Sequence, residues 1–403
     1  MSRTNDLGRD EIPRLVVRLA IPTMLAQLVN VLYSIVDRMY IGTGVGDLAL
    51  AGVGICSPIV TLLASFGSMV GQGGAPVMAM KMGSGKKKEA RQVLNNGFLM
   101  LLILSAVLTS LFLLSKNSLL MWFGAILNIL LDPLFIFVFH MGVAGAAIAT
   151  VISQIVSCLF VLGCLFSKRM PVRLGWGDFH LHVMKRIVTF GFSPFLILAS
   201  DSILLIVLNT VLQRYGGPGE GDTLVTCATI VQSYLLLITM PMGGITLGSQ
   251  PVVSFNYGKG DAQRIKKAIL YITGLCVSFC ILMTVVTWTI SPVYVRLFTD
   301  DSEILSRSVT YIKRFTFMII PLAVQYPLVD ETTALGKVKL ALFCSAFRKC
   351  VFLTGLILLP ALLTADATFF SEPIADVVSA TMTSCLFFHF FPKILKERER
   401  ITI

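Results

Sequence analysis

The chain has 403 residues and a formal net charge of +11, with 55% hydrophobic and only 14% charged residues. A soluble domain of this length carries about 25% charged residues, and its mean hydropathy would lie well below the +0.83 of this chain. The composition therefore excludes a soluble globular protein and predicts a protein that crosses a membrane several times.

Long apolar runs follow one another along the chain. They cover residues 15–36, 49–80, 93–115, 121–139 and 143–166 in the first half, and 187–211, 224–255, 268–292, 315–335, 340–363 and 374–391 in the second. Most of them reach the ~20 residues that a helix needs to cross a bilayer core. A transmembrane barrel would instead show short segments of alternating hydrophobicity. We therefore predict an all-α polytopic membrane protein with about 11 spanning helices.

A short pattern occurs twice, at the ends of corresponding apolar runs. It consists of a Pro-Val pair, two glycines and a basic loop. The two copies are Pro76-Val77 with Gly83 and Gly85, and Pro251-Val252 with Gly258 and Gly260. Such self-similarity indicates two halves built on one plan, as in transporters whose substrate site lies between the halves. We predict an N-terminal bundle (1–167), a cytoplasmic loop (168–186) and a C-terminal bundle (187–403).

The basic residues are concentrated in loops between the apolar runs. These loops cover residues 81–91, 168–186, 259–267 and 337–339, and a basic tail follows at 393–400. By the positive-inside rule, the basic loops and both termini are expected in the cytoplasm. The prediction is a multi-pass protein of the cell (inner or plasma) membrane. Because topology accounts for the net charge, no nucleic-acid partner is predicted.

The number of apolar runs conflicts with this topology in the first half. Three runs separate the basic loops 81–91 and 168–186, although an even number is needed to return the chain to the same side. Compared with the second half, about 45 residues are missing after Phe123, roughly one outer loop and one helix. We therefore predict a deletion near Gly124, which leaves five helices in the N-terminal bundle and six in the C-terminal bundle.

Polar residues within the run 121–139 indicate an ion site. Asn128 and Asp132 are four residues apart and share one helix face, and Pro133 kinks the helix and frees a carbonyl beside them. Thr150 is expected at a similar depth on the next helix, because it and Asp132 are equally far from the intervening turn. Their convergence in an apolar interior predicts a proton or small-cation site. The alternative is that Asn128 and Asp132 only cap or kink the helix.

A second polar set lies on the first predicted helix. Gln27, Asn30 and Tyr33 form a stripe at near-helical spacing that is expected to line a cavity, and Asp37 follows them. An ion pair of Asp37 with the adjacent Arg38 at the outer interface is the alternative. Further residues expected to line the substrate cleft are Gln154, Asp201, Gln232 and Gln250.

The remaining reactive residues indicate neither a metal site nor an enzyme. The nine cysteines lack paired metal spacing and the four histidines do not cluster, so free buried thiols are expected. A nucleophile accompanied by a base is not recognisable either. The adjacent acids Asp330 and Glu331 have no assigned role, and Arg348 is the deepest basic residue of the apolar runs.

Six motifs lie between Ile21 and Gly258. They are the stretch from Ile21-Pro22 to Leu32-Tyr33, Val36-Asp37-Arg38-Met39-Tyr40-Ile41-Gly42, Gly124 to Pro133, Gly142 to Ala147, Gly248-Ser249-Gln250-Pro251 and Asn256-Tyr257-Gly258. Together they resemble the multidrug and toxic compound extrusion (MATE) family. The resemblance implies two pseudo-symmetric helix bundles around a central cleft, with twelve spanning helices in the family and the fourth lacking a counterpart here.

The resemblance also implies a function. Members of the family export amphipathic, often cationic small molecules in exchange for H+ or Na+, and we expect a membrane-embedded monomer among lipids that needs no other cofactor. In the branch that this chain most resembles, the cation site corresponds to Asp37, Asn128, Asp132 and Thr150.

Two other functions stay open. A flippase for lipid-linked sugars or a peptidoglycan precursor shares the two-bundle plan, but its pyrophosphate substrate would require buried Arg or Lys in the cleft. A chain that lacks one wall helix could also be an inactive remnant. The natural substrate and the choice between H+ and Na+ are not determined by the sequence.

Overall fold

The structure, a computed structural model, describes residues 6–44, 47–114, 172–175, 177–217, 219–299 and 301–402, with the pairs 155–156, 158–159, 162–163 and 165–166. Within these ranges, only the backbone is described for residues 37–60, 109–114 and 398–402. The α-helices of these ranges are α1 (Ile12–Gly44), α2 (Asp47–Gly83), α3 (Lys87–Leu114), α4 (Leu181–Gly216), α5 (Glu220–Lys259), α6 (Ala262–Arg296), α7 (Ser302–Phe315), α8 (Ile319–Ala334), α9 (Val338–Leu362) and α10 (Ser371–Thr402). A 3₁₀ helix, Ala365–Phe370, precedes α10.

The helices have the length and composition of membrane spans. Among the described residues, 7 helices are long and apolar enough to cross a membrane. An additional span results if α7 and α8, which meet at an angle of 52°, cross the membrane together as one broken helix. The prediction of an all-α polytopic membrane protein is confirmed, and the ten α-helices of the described part fit the predicted number of about 11.

Helix α7 lies between the apolar runs 268–292 and 315–335, where the sequence analysis predicted no spanning helix. It begins after Asp301, whose carboxylate accepts hydrogen bonds from the backbone N–H groups of Glu303 (2.8 Å) and Ile304 (3.2 Å). Such a cap satisfies backbone donors that the first helical turn leaves free. The helix buries Ile312 and Phe315 while its charged residues stay exposed or half-buried. Its amphipathic pattern is not a continuous apolar run, which is why hydropathy alone did not predict it.

Contacts divide the chain into two compact units, one with residues 1–28, 79–85 and 200–403 and the other with 29–78 and 86–199. The predicted boundaries at 167 and 187 stay predictions. The segment in which we placed the deletion, around Gly124, lies outside the described residues, and so does the predicted span 121–139.

In the first of these units, α5 is the central helix. It packs against α6, α7 and α8, and α10 packs against α8 and α9. The first part of α1 also approaches α5 closely. A Cβ added at Gly244 would lie 2.7 Å from the Cα of Met24, and one added at Gly248 would lie 2.8 Å from the carbonyl oxygen of Leu19. Glycine is therefore required at both positions for this helix contact.

In the second unit, α2 and the first half of α4 cross at a pair of glycines. A Cβ added at Gly73 would lie 2.8 Å from the Cα of Gly191, and one added at Gly191 would overlap the backbone of Met69. Val70 and Ile187 are buried beside this crossing. Two buried amides of α3, Asn95 and Asn96, hold the chain segment that leads into α4.

Candidate functional site

The predicted cation site of the N-terminal bundle falls largely outside the described part of the chain. Asn128, Asp132 and Thr150 lie outside the described residues, and so does the predicted cleft residue Gln154. Asp37 lies in α1, but its side chain is not described. The convergence of these residues stays a prediction.

The polar stripe of the first helix is described at its N-terminal end. Gln27, Asn30 and Tyr33 all lie in α1, at the predicted near-helical spacing. Gln27 and Tyr33 are half-buried and Asn30 is exposed. Their role in lining a cleft stays a prediction.

A polar seam joins α5 to α8. The hydroxyl of Thr246 donates to the carboxylate of Asp330 over 2.6 Å, and the amide of Gln250 donates to the backbone carbonyl of Asp330 over 3.2 Å. One turn further along α5, the hydroxyl of Ser254 donates to the carbonyl of Ala334 over 3.0 Å. The donors are spaced four residues apart, so they form one face of α5 that is directed at α8.

Gln250, which was predicted to line the substrate cleft, therefore contacts Asp330, an acid for which the sequence predicted no role. Its side chain is buried, whereas Gln232, on the same helix, is half-buried. The phenol of Tyr326, four residues before Asp330 on α8, lies within electrostatic range of Asp330, Asp201 and Arg348. This tyrosine was missed from the sequence, although its spacing from Asp330 places both on one helix face.

Glu331 is buried next to this seam. It has no exposed surface, and neither of its carboxylate oxygens has a hydrogen-bond partner among the described residues. It lies within electrostatic range of Cys276 on α6. A buried carboxylate without a partner is costly in its charged form, so a protonated Glu331 or a bound cation would stabilise this arrangement.

The deepest predicted base, Arg348, is neutralised by two acids of α10. Its guanidinium bonds to Asp376 Oδ1 through Nε (3.2 Å) and Nη2 (2.9 Å), and Nη2 also contacts Glu372. All three side chains are largely buried, with relative exposures of 16% for Arg348, 7% for Glu372 and 2% for Asp376. Arg348 is therefore committed to carboxylates of the protein.

Asp201, predicted to line the substrate cleft, is paired as well. Its carboxylate on α4 contacts the ammonium group of Lys349 on α9. The side chain of Asp201 is half exposed and that of Lys349 is mostly buried. Lys349 was missed from the sequence, because it lies 148 residues away and no spacing rule connects two such positions.

Acidic groups outnumber basic groups in this region. We call the set Asp201, Asp330, Glu331, Glu372 and Asp376, together with Arg348 and Lys349, the carboxyl cluster. Its excess of carboxyl groups favours protons or cations over anions.

Comparisons with known proteins identify the family. The MatE family model matches residues 22–130 and 198–359. The multidrug export protein MepA of Staphylococcus aureus (strain MSSA476) is 21% identical over 416 aligned positions that include 90% of each chain.

Solved structures of the same family share the fold. The crystal structure of MATE in complex with MaL6 is 21% identical, with a TM-score of 0.90, and 98% of this chain and 100% of that chain are covered. An outward-facing MATE family transporter of the MOP superfamily is 22% identical, with a TM-score of 0.88 and coverages of 97% and 98%. Since the two matched segments make up more than half of its length, the chain belongs to the MatE family, which confirms the predicted resemblance and the prediction of a membrane transporter rather than an enzyme.

Proposed function

We propose that the protein is a secondary active antiporter that exports amphipathic, cationic small molecules in exchange for H+ or Na+. The observation that carries the proposal is the carboxyl cluster, which contains five acids and only two basic residues on helices of a membrane-spanning chain. Ionisable groups inside membrane helices are costly and mark ion or substrate pathways. The relative MepA is named a multidrug export protein, which agrees with this function.

The cluster suits an exchange of cations for a physical reason. A cationic substrate, a proton and a sodium ion all reduce the mutual repulsion of buried carboxylates, so binding of one disfavours binding of another. Competition of this kind is what an antiporter needs, because the export of the substrate must depend on the uptake of the ion. Glu331 contributes most directly, because its carboxyl oxygens have no partner among the described residues.

The predicted site of Asp37, Asn128, Asp132 and Thr150 is part of the same proposal. We expect it to couple transport to the ion gradient, while the carboxyl cluster contributes to the attraction of cations. Both termini would lie in the cytoplasm, and the protein would function as a monomer in the cell membrane.

A flippase for a pyrophosphate-linked lipid is less well supported. Such a substrate needs a buried cation that is free to contact phosphate oxygens. Arg348 and Lys349, the basic members of the cluster, are both paired with carboxylates. The structure of this region therefore favours cationic over anionic substrates.

An inactive remnant is the second candidate, because of the predicted deletion. The alignment with MepA has 416 positions, more than the 403 residues of the chain, and yet includes only 90% of it. The alignment must therefore contain gaps opposite residues of MepA, which supports a shortened chain without locating the missing part. Restoration of about 45 residues after Phe123 would test whether the shortening limits activity.

The proposal is tested by efflux of a fluorescent lipophilic cation from proteoliposomes under an imposed proton or sodium gradient. We expect gradient-dependent export that Asp132→Asn or Asp330→Asn abolishes, whereas Asp222→Asn, at an exposed acid of α5, leaves it unchanged. Export driven without either gradient, or tight binding of a pyrophosphate-linked lipid in place of cations, would contradict the proposal.

A further inference from the structure

A basic cavity lies at the start of α3, in the unit formed by residues 29–78 and 86–199. Its volume is about 620 Å³, and none of its described lining residues is acidic. The basic lining residues are Lys87, Lys88 and Arg91 of α3 and Arg173 of the segment 172–175, while Phe166 and Val172 form apolar walls. Four cationic groups and an apolar surface therefore meet in one cavity.

The position of the segment opposite α3 is fixed by two buried asparagines. Asn95 and Asn96 lie about one turn beyond Arg91, and each side-chain amide makes two bonds to the backbone between residues 175 and 180. The bonds run from Asn95 Nδ2 to Gly177 O (3.2 Å), from Gly175 N to Asn95 Oδ1 (3.0 Å), from Asn96 Nδ2 to Asp178 O (3.1 Å) and from His180 N to Asn96 Oδ1 (2.8 Å). The cavity is thus held by buried groups and not only by surface loops.

The guanidinium of Arg91 is positioned by Gly175. A Cβ added at Gly175 would lie 3.0 Å from the guanidinium carbon and 3.1 Å from Nε of Arg91. The glycine leaves room for the guanidinium group, because a Cβ at this position would overlap Nη2 of Arg91. This contact directs Arg91 toward the cavity beside Lys87 and Lys88.

The convergence of Lys87, Lys88 and Arg91 is unfavourable unless an anion accompanies them. The described lining residues include no acid that could supply this negative charge. Lysine and arginine together are well suited to phosphate oxygens. The ligand chemistry that the cavity favours is therefore a phosphate group.

The location of the cavity restricts the source of that phosphate. Lys87 is the first residue of a segment that is long and apolar enough to span the membrane, Lys87–Leu108, so we expect the cavity at the membrane interface. Its apolar walls would contact glycerol or the upper part of an acyl chain. We propose that this cavity binds the head group of an anionic phospholipid, and that Lys87, Lys88 and Arg91 hold its phosphate.

The second copy of the repeated pattern offers a matched control. There, the guanidinium of Arg264 bonds to Asn256 Oδ1 (3.0 Å) and to the backbone carbonyls of Leu7 (3.1 Å) and Asp10 (2.8 Å). The guanidinium of Arg264 therefore already donates to acceptors of the protein itself. The nearby Lys266 and Lys267 are exposed.

The experiment is native mass spectrometry of the full chain in detergent, titrated with phosphatidylglycerol or phosphatidylcholine. We expect wild-type protein to retain phosphatidylglycerol in preference to phosphatidylcholine. The triple variant Lys87→Gln/Lys88→Gln/Arg91→Gln should bind phosphatidylglycerol at least about tenfold more weakly. Each cation near an anionic head group strengthens lipid binding by a similar electrostatic attraction, and the variant loses three of them. Lys266→Gln/Lys267→Gln should bind it like the wild type.

Two further arms make the result decisive. The conservative variant Lys87→Arg/Lys88→Arg keeps the charges and should retain binding, which separates lost charge from lost folding. Inorganic phosphate at millimolar concentration should not displace the lipid, because it cannot use the apolar walls. The proposal would be overturned if Lys266→Gln/Lys267→Gln lost as much phosphatidylglycerol binding as the triple variant. It would also be overturned if the wild type showed no preference for phosphatidylglycerol, or if inorganic phosphate displaced the lipid completely.

Discussion

The hydroxyl of Thr246 lies 2.6 Å from the carboxylate of Asp330 and 3.0 Å from the backbone carbonyl of Gly243. A hydroxyl has one hydrogen, so Thr246 can donate to only one of these acceptors. When Asp330 is ionised, Thr246 donates to the carboxylate. When Asp330 is protonated, it can donate to Thr246, whose hydrogen then turns to Gly243. The hydroxyl therefore has two bonding states that follow the protonation of Asp330.

Thr246→Val should remove this adaptable partner. Valine has nearly the same shape but leaves a carboxylate oxygen of Asp330 without its donor, at a cost of about 1–3 kcal/mol in the free energy of unfolding. We expect a lower melting temperature in detergent and weaker cation efflux.

Thr229→Val is the control for that change. Thr229 lies on the same helix and is exposed, and its one hydroxyl bond among the described residues is to the carbonyl of Val225 on its own helix (2.9 Å). Its replacement should change neither property. A loss of similar size in both variants would mean that the bond to Asp330 has no special role.

Arg348→Met should be among the most destabilising single changes in the described part of the chain. It would leave Glu372 and Asp376 buried without their cation, and removal of one partner of a buried ion pair costs about 3–5 kcal/mol. The triple variant Arg348→Met/Glu372→Gln/Asp376→Asn should regain most of the lost stability. Thermal unfolding followed by circular dichroism measures both effects.

The matched surface variant is Lys337→Met. Lys337 pairs with Glu397 over 2.7 Å, but both side chains are partly exposed, at 34% and 59%. Exposed ion pairs contribute little to stability, so the melting temperature should barely change. If the two variants were equally stable, the buried cluster would contribute no more than a surface pair.

Much of the helical framework was predictable, because a bilayer requires long apolar segments. The run 187–211 lies within α4 (Leu181–Gly216) and the run 224–255 within α5 (Glu220–Lys259). The helices extend beyond the runs because polar end turns can reach water while remaining hydrogen-bonded. Helix α7 escaped prediction because only one of its faces is apolar.

The contacts of the carboxyl cluster were not predictable in the same way. Spacing shows that Tyr326 and Asp330 share a helix face, but it does not show which helix faces them. The bond of Gln250 to Asp330 joins positions 80 residues apart. Single-sequence patterns carry information about neighbours along a helix, whereas packing partners depend on the three-dimensional arrangement.

Glu331→Gln should preserve or increase stability. Glutamine has the same shape without the charge, and an unpartnered buried carboxylate disfavours folding when it is ionised. We expect an unfolding free energy at least equal to that of the wild type, measured by thermal unfolding. Glu303→Gln, at an exposed acid of α7, serves as the reference. A clear loss of stability in Glu331→Gln would indicate that the carboxylate is charged and bound to a group outside the described residues.

The pair of Asp201 and Lys349 allows a test of the predicted role of Asp201. Asp201→Asn leaves the ammonium group of Lys349 without its acid, and the unbalanced positive charge should raise the KM for a cationic substrate. In Asp201→Asn/Lys349→Met the charge is removed as well, so transport should recover if Asp201 acts only as the partner of Lys349. Transport should stay weak if Asp201 contacts the cation directly, as predicted from the sequence. Concentration series of cation uptake into inverted vesicles distinguish the two outcomes.

The predicted deletion makes a topological prediction that labelling can check. If one outer loop and one helix are absent near Gly124 and the basic loops keep their cytoplasmic position, residues 86 and 170 lie on the same side of the membrane although three apolar runs separate them. Single cysteines at Lys86, Asn117 and Met170, placed in a background without the nine native cysteines, can be labelled with a membrane-impermeant maleimide from either side. We expect positions 86 and 170 to react only from the cytoplasmic side.

One of the three runs then cannot cross the membrane in the ordinary way, and insertion of about 45 residues after Phe123 should restore normal crossing and increase efflux. Labelling of positions 86 and 170 from opposite sides would show that all three runs cross, and the deletion would have to be abandoned.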